Sequence, residues 1–284
     1  MKNHGDYLQA ILDHPSALQE HIQERLAPGI VKDPSPEEFR QQLGISSSVL
    51  LLLGCGFQED GCAQEPCLIL NRRSRRVRQS GDLCCPGGTV ETRLDPILAK
   101  ALSLPRLPLA RWPYWSELRR KYPHAARLLA LHLATGLRES WEEMRLNPLF
   151  FRFLGPLPSE RLRLFVRVIH PLVGWLSKPQ RFVPNWEVER IVAIPLRRLL
   201  DPQHYYRYRL YVAPDAQGAV EPPTQDFPCF LHQDGVHVEI LWGATFRIVT
   251  LFLAKVFDFS PPDVSHRPIV PGLLDAAYLN GTRV

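Results

Sequence analysis

Nothing in this sequence is long and apolar enough to cross a membrane as a helix. The longest apolar run near the amino end, inside "SSSVLLLLG" from residue 46, falls far short of the ~20 residues a bilayer requires. It follows a polar, charged stretch, so it does not read as a secretory leader either. The expectation is a soluble, cytoplasmic protein with no membrane partner. Cysteine is also sparse, with six among 284 residues and no C-x-x-C pair. That excludes a disulfide framework and gives no support to a zinc site. Cys55, Cys62 and Cys67 are clustered, yet with Cys84, Cys85 and Cys229 they read as reduced thiols packed as small hydrophobes. No base stands beside Cys84 or Cys85 that would make either a nucleophile. Internal repeats are absent. What remains, 45% hydrophobic and 22% charged residues, is ordinary globular composition rather than disorder. The length allows one good core with additions, or two small domains.

The net charge of +5 is concentrated. "NRRSRRVR" (71–78) holds Arg72, Arg73, Arg75, Arg76 and Arg78, a run suited to an anionic partner, either nucleic acid or a small phosphorylated ligand. It lacks interleaved aromatics and any nucleic-acid motif, which favours the small ligand.

Two helices are predicted in residues 1–45, which read as a separate amino-terminal extension. "SALQEHIQERL" has apolar residues at helical spacing, and "SPEEFRQQL" opens with Ser and Pro before a Glu pair. "SVLLLLG" and "CLILNRR" read as buried strands. After "CCPGGTVE" the prolines of "LSLPRLPLARWPYW" rule out a continuous helix. "SELRRKY" is predicted as a short helix, and a longer one runs from His124 to Met144. The second half is strand-rich, in "LFVRVIHPLVG", "RIVAIPL", "YRYRLYV", "FPCFLH" and "VHVEILW". Asp234-Gly235 marks a hairpin between the last two. "ATFRIVTLFLAKVF" closes the core as a helix, and from Ser260 to residue 284 a Pro-rich tail is expected to lie extended on the surface. Trp242 reads as a core side chain and His237 as a hairpin histidine.

In "GLRESWEEMRL" (136–146), Glu139, Glu142 and Glu143 share one helical face. Like charges at that spacing repel by roughly 0.2–0.5 kcal/mol per exposed pair. Either neighbouring arginines pair this turn in solvent, or a divalent cation lies over it.

A "PGG" turn after a strand, followed by R-E-x-x-E-E on a helix, resembles the Nudix hydrolase signature. Pro86-Gly87-Gly88 supplies the turn and Arg138-Glu139-Ser140-Trp141-Glu142-Glu143 the helix. "LILNRRSRRVRQSGDLCCPGG", "VIHPLVGWL", "NWEVERIVAIPL" and "ILWGATFRI" further resemble, in order, stretches of the coenzyme A pyrophosphatase branch. The resemblance implies an α/β fold, a Nudix-type α/β/α sandwich with a mixed sheet over residues 46–259. It implies Mg²⁺ or Mn²⁺ held by Glu139, Glu142, Glu143 and Gly88, with Glu139 or Glu187 as general base. Arg138 would orient the loop, and Arg73 and Arg78 would grip phosphates, while Arg72, Arg75 and Arg76 read as a solvated face. The implied substrate is coenzyme A or an acyl derivative, with a homodimer left open. The alternatives are hydrolysis of another dinucleotide such as NADH or ADP-ribose, or a non-catalytic module that binds through residues 72–78.

The chain departs from the signature in three places. Fifty positions separate Gly88 from Arg138, where the family has fourteen, because of an insertion at about 94–123. Glu91 or Asp95 must therefore stand in for the signature's first glutamate. Arg145 replaces the glycine after the glutamates, so the helix is expected to end by another turn, at Asn147. Cys85 takes the place of the phenylalanine before PGG. Trp112, Tyr114 and Trp115 in the insertion either pack on the amino-terminal helices or form a lid over the substrate.

Overall fold

Four consecutive leucines, Leu50 to Leu53, leave a strand with no polar face, so it must be covered on both sides. The structure is a computed structural model that describes residues 10–28, 32–56, 65–162, 167–212, 224–274 and 278. In it β1 (Ser46–Gly54) sits at the centre of an eight-stranded mixed sheet. Leu51 and Leu53 face one apolar layer and Leu50 and Leu52 the other. β2 (Cys67–Arg73), β3 (Leu83–Cys84) and β4 (Gly87–Thr89) follow, with β4 antiparallel to β1. The insertion contributes α3 (Asp95–Leu102) and α4 (Trp115–Lys121), and leads into the long α5 (Pro123–Met144). β5 (Phe151–Pro156), β6 (Glu160–Leu162), β7 (Arg167–Leu176) and β8 (Val188–Pro195) complete the sheet. Within this sheet, among the described residues, only β1 and β7 run parallel, paired from Ser46↔Val168 to Gly54↔Leu176. The other pairings are antiparallel.

Helix α5 covers one face, burying Leu129, Leu133 and Leu137. The opposite face is covered by α1 (Pro15–Arg25) and by α7 (Gly243–Phe257), which comes after the short α6 (Leu196–Leu199). The result is an α/β/α sandwich. α2 (Pro36–Ile45) leads into β1 and is held by a capping box between Ser35 and Glu38. A second sheet is ordered β11 (His237–Leu241), β10 (Thr224–Asp234), β9 (Tyr205–Val212), β12 (Ile269–Leu274).

Several expectations are corrected. The first helix is not set apart, because Leu18 and Ile22 are fully buried in the same cluster as Leu51, Leu53 and α7. The tail is not merely draped on the surface: β12 pairs in parallel with β9, and Pro271 is accommodated on the outer strand. The hairpin loop is Gly235-Val236 rather than Asp-Gly, since Asp234 pairs with His237 and Gly235 takes the left-handed φ of 58°. Trp112 and Trp115 form neither a lid nor a bridge to the amino-terminal helices. Both are buried with α5 and the sheet, where the Trp112 ring packs tilted against Phe153 and donates Nε1–H to the Leu154 carbonyl at 3.1 Å. Cys55, Cys67, Cys84, Cys85 and Cys229 are free thiols, and Cys62 lies outside the described residues. Burial pushes the Cys84 thiol up to about 12 and that of Cys85 higher still, which disfavours the thiolate at both.

Candidate active site

The glycine turn and the glutamate helix meet despite the insertion. Gly87, at φ 152°, lies so close to β1 that a Cβ there would stand 2.2 Å from the Ser48 carbonyl oxygen. A Cβ on Gly88 would come within 2.4 Å of the Glu139 carboxyl. Gly87 therefore requires the bare backbone that only glycine offers, while Gly88 leaves the room that the Glu139 carboxyl occupies. Glu143 enters the same corner, accepting from Asn71 Nδ2 at 2.8 Å and from the Gly87 N–H at 3.3 Å.

Arg138 organises the approach. Its side chain is only 10% exposed. It donates from Nε to Asp95 at 2.7 Å, and from Nη2 to the Thr89 carbonyl and Glu139 at 3.0 Å each. Nη1 reaches Glu142 at 3.2 Å. Asp95, fully buried, also accepts from Thr135 Oγ1 and the Glu91 N–H, both at 2.7 Å. Asp95 is thus the arginine's partner. Glu91 instead caps the following turn through the Arg93 and Leu94 amides.

Burial opposes the charge on Arg138, but the bonds and negative charges around it outweigh that and raise its pKa. Burial and the neighbouring Glu139 charge push Glu143 up to about 8, against the opposing Gly87 N–H, and Glu187 adds to the rise. Glu139 is also raised, chiefly by burial. The structure thus gathers Glu139, Glu143, Gly88 and Arg138, with Glu187 near enough to act on Glu143. It does not bring Glu142 into the corner, because that carboxylate is exposed and turned to Arg138. Among the described residues no three His, Cys, Asp or Glu side chains close around a point tightly enough to hold an ion. The donor chemistry nevertheless fits a hard divalent cation, for two crowded carboxylates with raised pKa values lie beside glycine backbone.

The helix ends at Met144, as expected, but its closing turn falls at Arg145 rather than at Asn147. Arg145 itself adopts the left-handed cap, φ 59° and ψ 39°, with its guanidinium 4.3 Å from the Trp141 ring centroid. Asn147 begins the next, 3-10 turn. Behind the helix end, the Asn185 N–H donates to the Glu143 carbonyl at 2.8 Å, and the Ser74 N–H donates to the Glu187 carbonyl at 2.8 Å. The Glu187 loop is thereby tied to both the helix and the arginine stretch. Within that stretch Arg73 Nε donates to the Arg78 carbonyl at 2.8 Å, and the Arg78 side chain is exposed. Arg72 is no solvated residue: it donates to the fully buried Glu239 at 2.6 Å and to Glu189 at 3.3 Å.

Three contributors escaped sequence reasoning. Glu239 shares a strand face with Leu241, and a carboxylate at such an inward position is a legible sign of a buried pair. It bonds Arg190 as well as Arg72. Asn71, a polar residue ending an apolar run, carried a similar signal. Asp82 carried none: it accepts from Trp242 Nε1 at 2.9 Å and the Tyr278 hydroxyl at 2.7 Å. Trp242 is accordingly a half-buried residue preceding α7, its ring tilted against Tyr208 and Phe227, rather than a core side chain.

No family model matches the sequence, and no curated protein does. Solved structures with a related arrangement include a MutT/nudix family protein from Enterococcus faecalis. It is 10% identical, with 89% of this chain and 74% of that one covered and a TM-score of 0.38. A C. elegans Ap4A hydrolase is 10% identical over 53% of this chain and 80% of its own, at a TM-score of 0.33. The NUDIX domain of Shewanella oneidensis NrtR, complexed with ADP ribose, is 16% identical over 59% and 82%, also at 0.33. Values this low leave the chemistry to be read from the side chains. Among the described residues no helix is long and apolar enough to cross a membrane.

Proposed function

We propose that the chain is a Nudix-type hydrolase, with its chemistry carried by residues 46–259, that cleaves a pyrophosphate bond joined to a nucleoside. The observation that supports this best is the convergence of Gly87-Gly88 with Glu139 and Glu143 across a separation of fifty residues. A binding module has no need of crowded, half-buried carboxylates beside bare backbone. Glu139, Glu143 and the Gly88 backbone would hold Mg²⁺ or Mn²⁺, with Glu142 at the rim. Such an ion neutralises phosphate oxygens and lowers the pKa of water.

Arg138, anchored by Asp95, fixes Glu139 and the Thr89 carbonyl in place, so the turn and the helix keep their distance during turnover. Glu139 or Glu187 accepts the proton of the attacking water. Arg73 and Arg78 grip the phosphates through their planar forks. The substrate we infer is coenzyme A or an acyl derivative, giving adenosine 3′,5′-bisphosphate and a 4′-phosphopantetheine species. Support comes from the way the motif stretches join: Asp82 to Trp242 and Arg72 to Glu239 link the arginine hairpin to the start of α7.

The test is incubation with MgCl₂ or MnCl₂ and a panel of coenzyme A, acetyl-coenzyme A, NADH and ADP-ribose, with products identified by mass. Bisphosphate release from the coenzyme A substrates alone is the expected result. Preferential cleavage of NADH or ADP-ribose would move the enzyme to another substrate class, and no cleavage of any would overturn the reading. In the same assay Arg78→Ala should raise KM more than it lowers kcat, because a phosphate grip acts in ground and transition states alike.

A further inference from the structure

A cavity of about 380 Å³ lies away from the glutamates, between the segment before α2, the first half of α5 and β7. Pro34, Trp112, Leu128 and Leu129 give it apolar walls, and the rings of His132 and His170 complete them. His132 is 3% exposed, and neither of its ring nitrogens has a hydrogen-bond partner. Buried polar groups are nearly always paired, so an unpaired imidazole in a cavity wall marks a place where something else is received. The volume falls within the range of small-molecule pockets.

The two rings stack at 3.9 Å with 12° between their planes, and His170 Nε2 lies 3.2 Å from Ser46 Oγ. Burial holds His132 well below the usual imidazole range, with His170 adding to the effect, and holds His170 down to about 4. Both rings are therefore neutral at pH 7, and His132 keeps one N–H and one lone pair unused. Among the described residues that line the cavity, the charged ones are Lys32 and Glu38, which pair with each other at 2.9 Å.

We propose that this cavity is a binding site for a small, uncharged, mainly apolar molecule that carries one hydroxyl or amide group, which His132 receives. A hydroxyl or amide can either accept from the N–H or donate to the bare nitrogen, so it pairs with the His132 ring in either tautomer. A carboxylate would enter an apolar wall with no cation to meet it, and a pure hydrocarbon would leave His132 unpaired. The site is separate from the glutamate corner. His132 lies seven residues before Glu139 on α5, about 10 Å along the axis. Between them Gly136 is packed so closely on β1 that a Cβ would stand 2.7 Å from Leu50 Cδ2. The proposal does not depend on hydrolytic activity.

Titration of the full chain with 1-hexanol, n-hexane and sodium hexanoate tests it, read by calorimetry and by the emission of Trp112. The expected result is saturable binding of hexanol and at least tenfold weaker binding of hexanoate. In His132→Leu, hexanol should bind about tenfold more weakly while hexane binding is kept or strengthened, as befits the loss of one hydrogen bond. If that variant does not fold, long-range ¹H–¹⁵N spectra of the wild type decide, since the His132 imidazole signals should move with hexanol and not with hexane. Absence of saturable hexanol binding, equal loss of both ligands in the variant, or unmoved imidazole signals would each overturn the proposal.

Discussion

Arg138→Ala is expected to lower the free energy of unfolding by about 3–5 kcal/mol. The guanidinium is the counter-charge of three carboxylates at once, and one of these, Asp95, is wholly buried. Removing it strands that carboxylate in the interior with only the Thr135 hydroxyl and the Glu91 amide for company, the situation in which breaking a buried pair costs most. The loss also unties the Thr89 carbonyl, so the turn carrying the glycines is released from the helix. Urea unfolding measures the effect, with the slope m expected to stay near the wild-type value. Arg138→Lys should recover only part of it, because an ammonium cannot reproduce the fork that bonds Asp95 and Glu139 together. A loss under about 1 kcal/mol for the alanine variant would mean that solvent, rather than Arg138, holds the carboxylates.

Glu143→Gln is expected to stabilise the metal-free protein in alkaline buffer while lowering turnover at least ~100-fold. The native pKa of Glu143, about 8, lies above its ordinary value, so between the two the folded state binds its proton more tightly than the unfolded state does. The contribution of this carboxyl to stability is full at pH 4 and is lost as pH rises through 8. Glutamine is neutral throughout and keeps an oxygen for Asn71 and Gly87. It should match wild type near pH 4 and exceed it by about 2–4 kcal/mol at pH 9. Melting curves at pH 4, 7 and 9 check this. A second readout is MgCl₂, which should raise the wild-type melting temperature at pH 8 and leave the variant unmoved. A variant less stable than wild type at pH 9 would make Glu143 a structural residue and sink the assignment.

How much could be seen beforehand follows from the range of each interaction. The strands β1, β2 and β7 to β11 and the helix α5 were legible because an apolar run or a 3.6-residue period is a local pattern, whereas the short β5 and β6 were not. The shared face of Glu139 and Glu143 was legible for the same reason, whereas the turning of Glu142 to Arg138 was not. The choice of Asp95 over Glu91 was not, since both lie about equally far from Arg138 in sequence and only the packing of α3 on α5 decides. The left-handed cap at Arg145 was hidden because the position has a side chain where that geometry favours glycine. Trp112 and Trp115 announced their burial but not their partners, which come from β5 and α5, remote in sequence. β12 was concealed by its prolines, which argue against a strand except at positions where no N–H is needed.

The docking of α1 sets an order of events. His21 Nε2 lies 2.8 Å from the Val256 carbonyl and Arg25 Nε donates to Lys255 at 2.7 Å, so the first described helix lodges against the last one. On the ribosome, residue 256 is added some 235 positions after residue 21, roughly 10–50 s later at ordinary rates of synthesis. Throughout that interval Leu18 and Ile22 lack the α7 side of their cluster, although β5, which bonds Gln19 and Gln23, has already been made. The nascent chain is an open substrate for chaperones until α7 emerges, and only then can that face of the sandwich close.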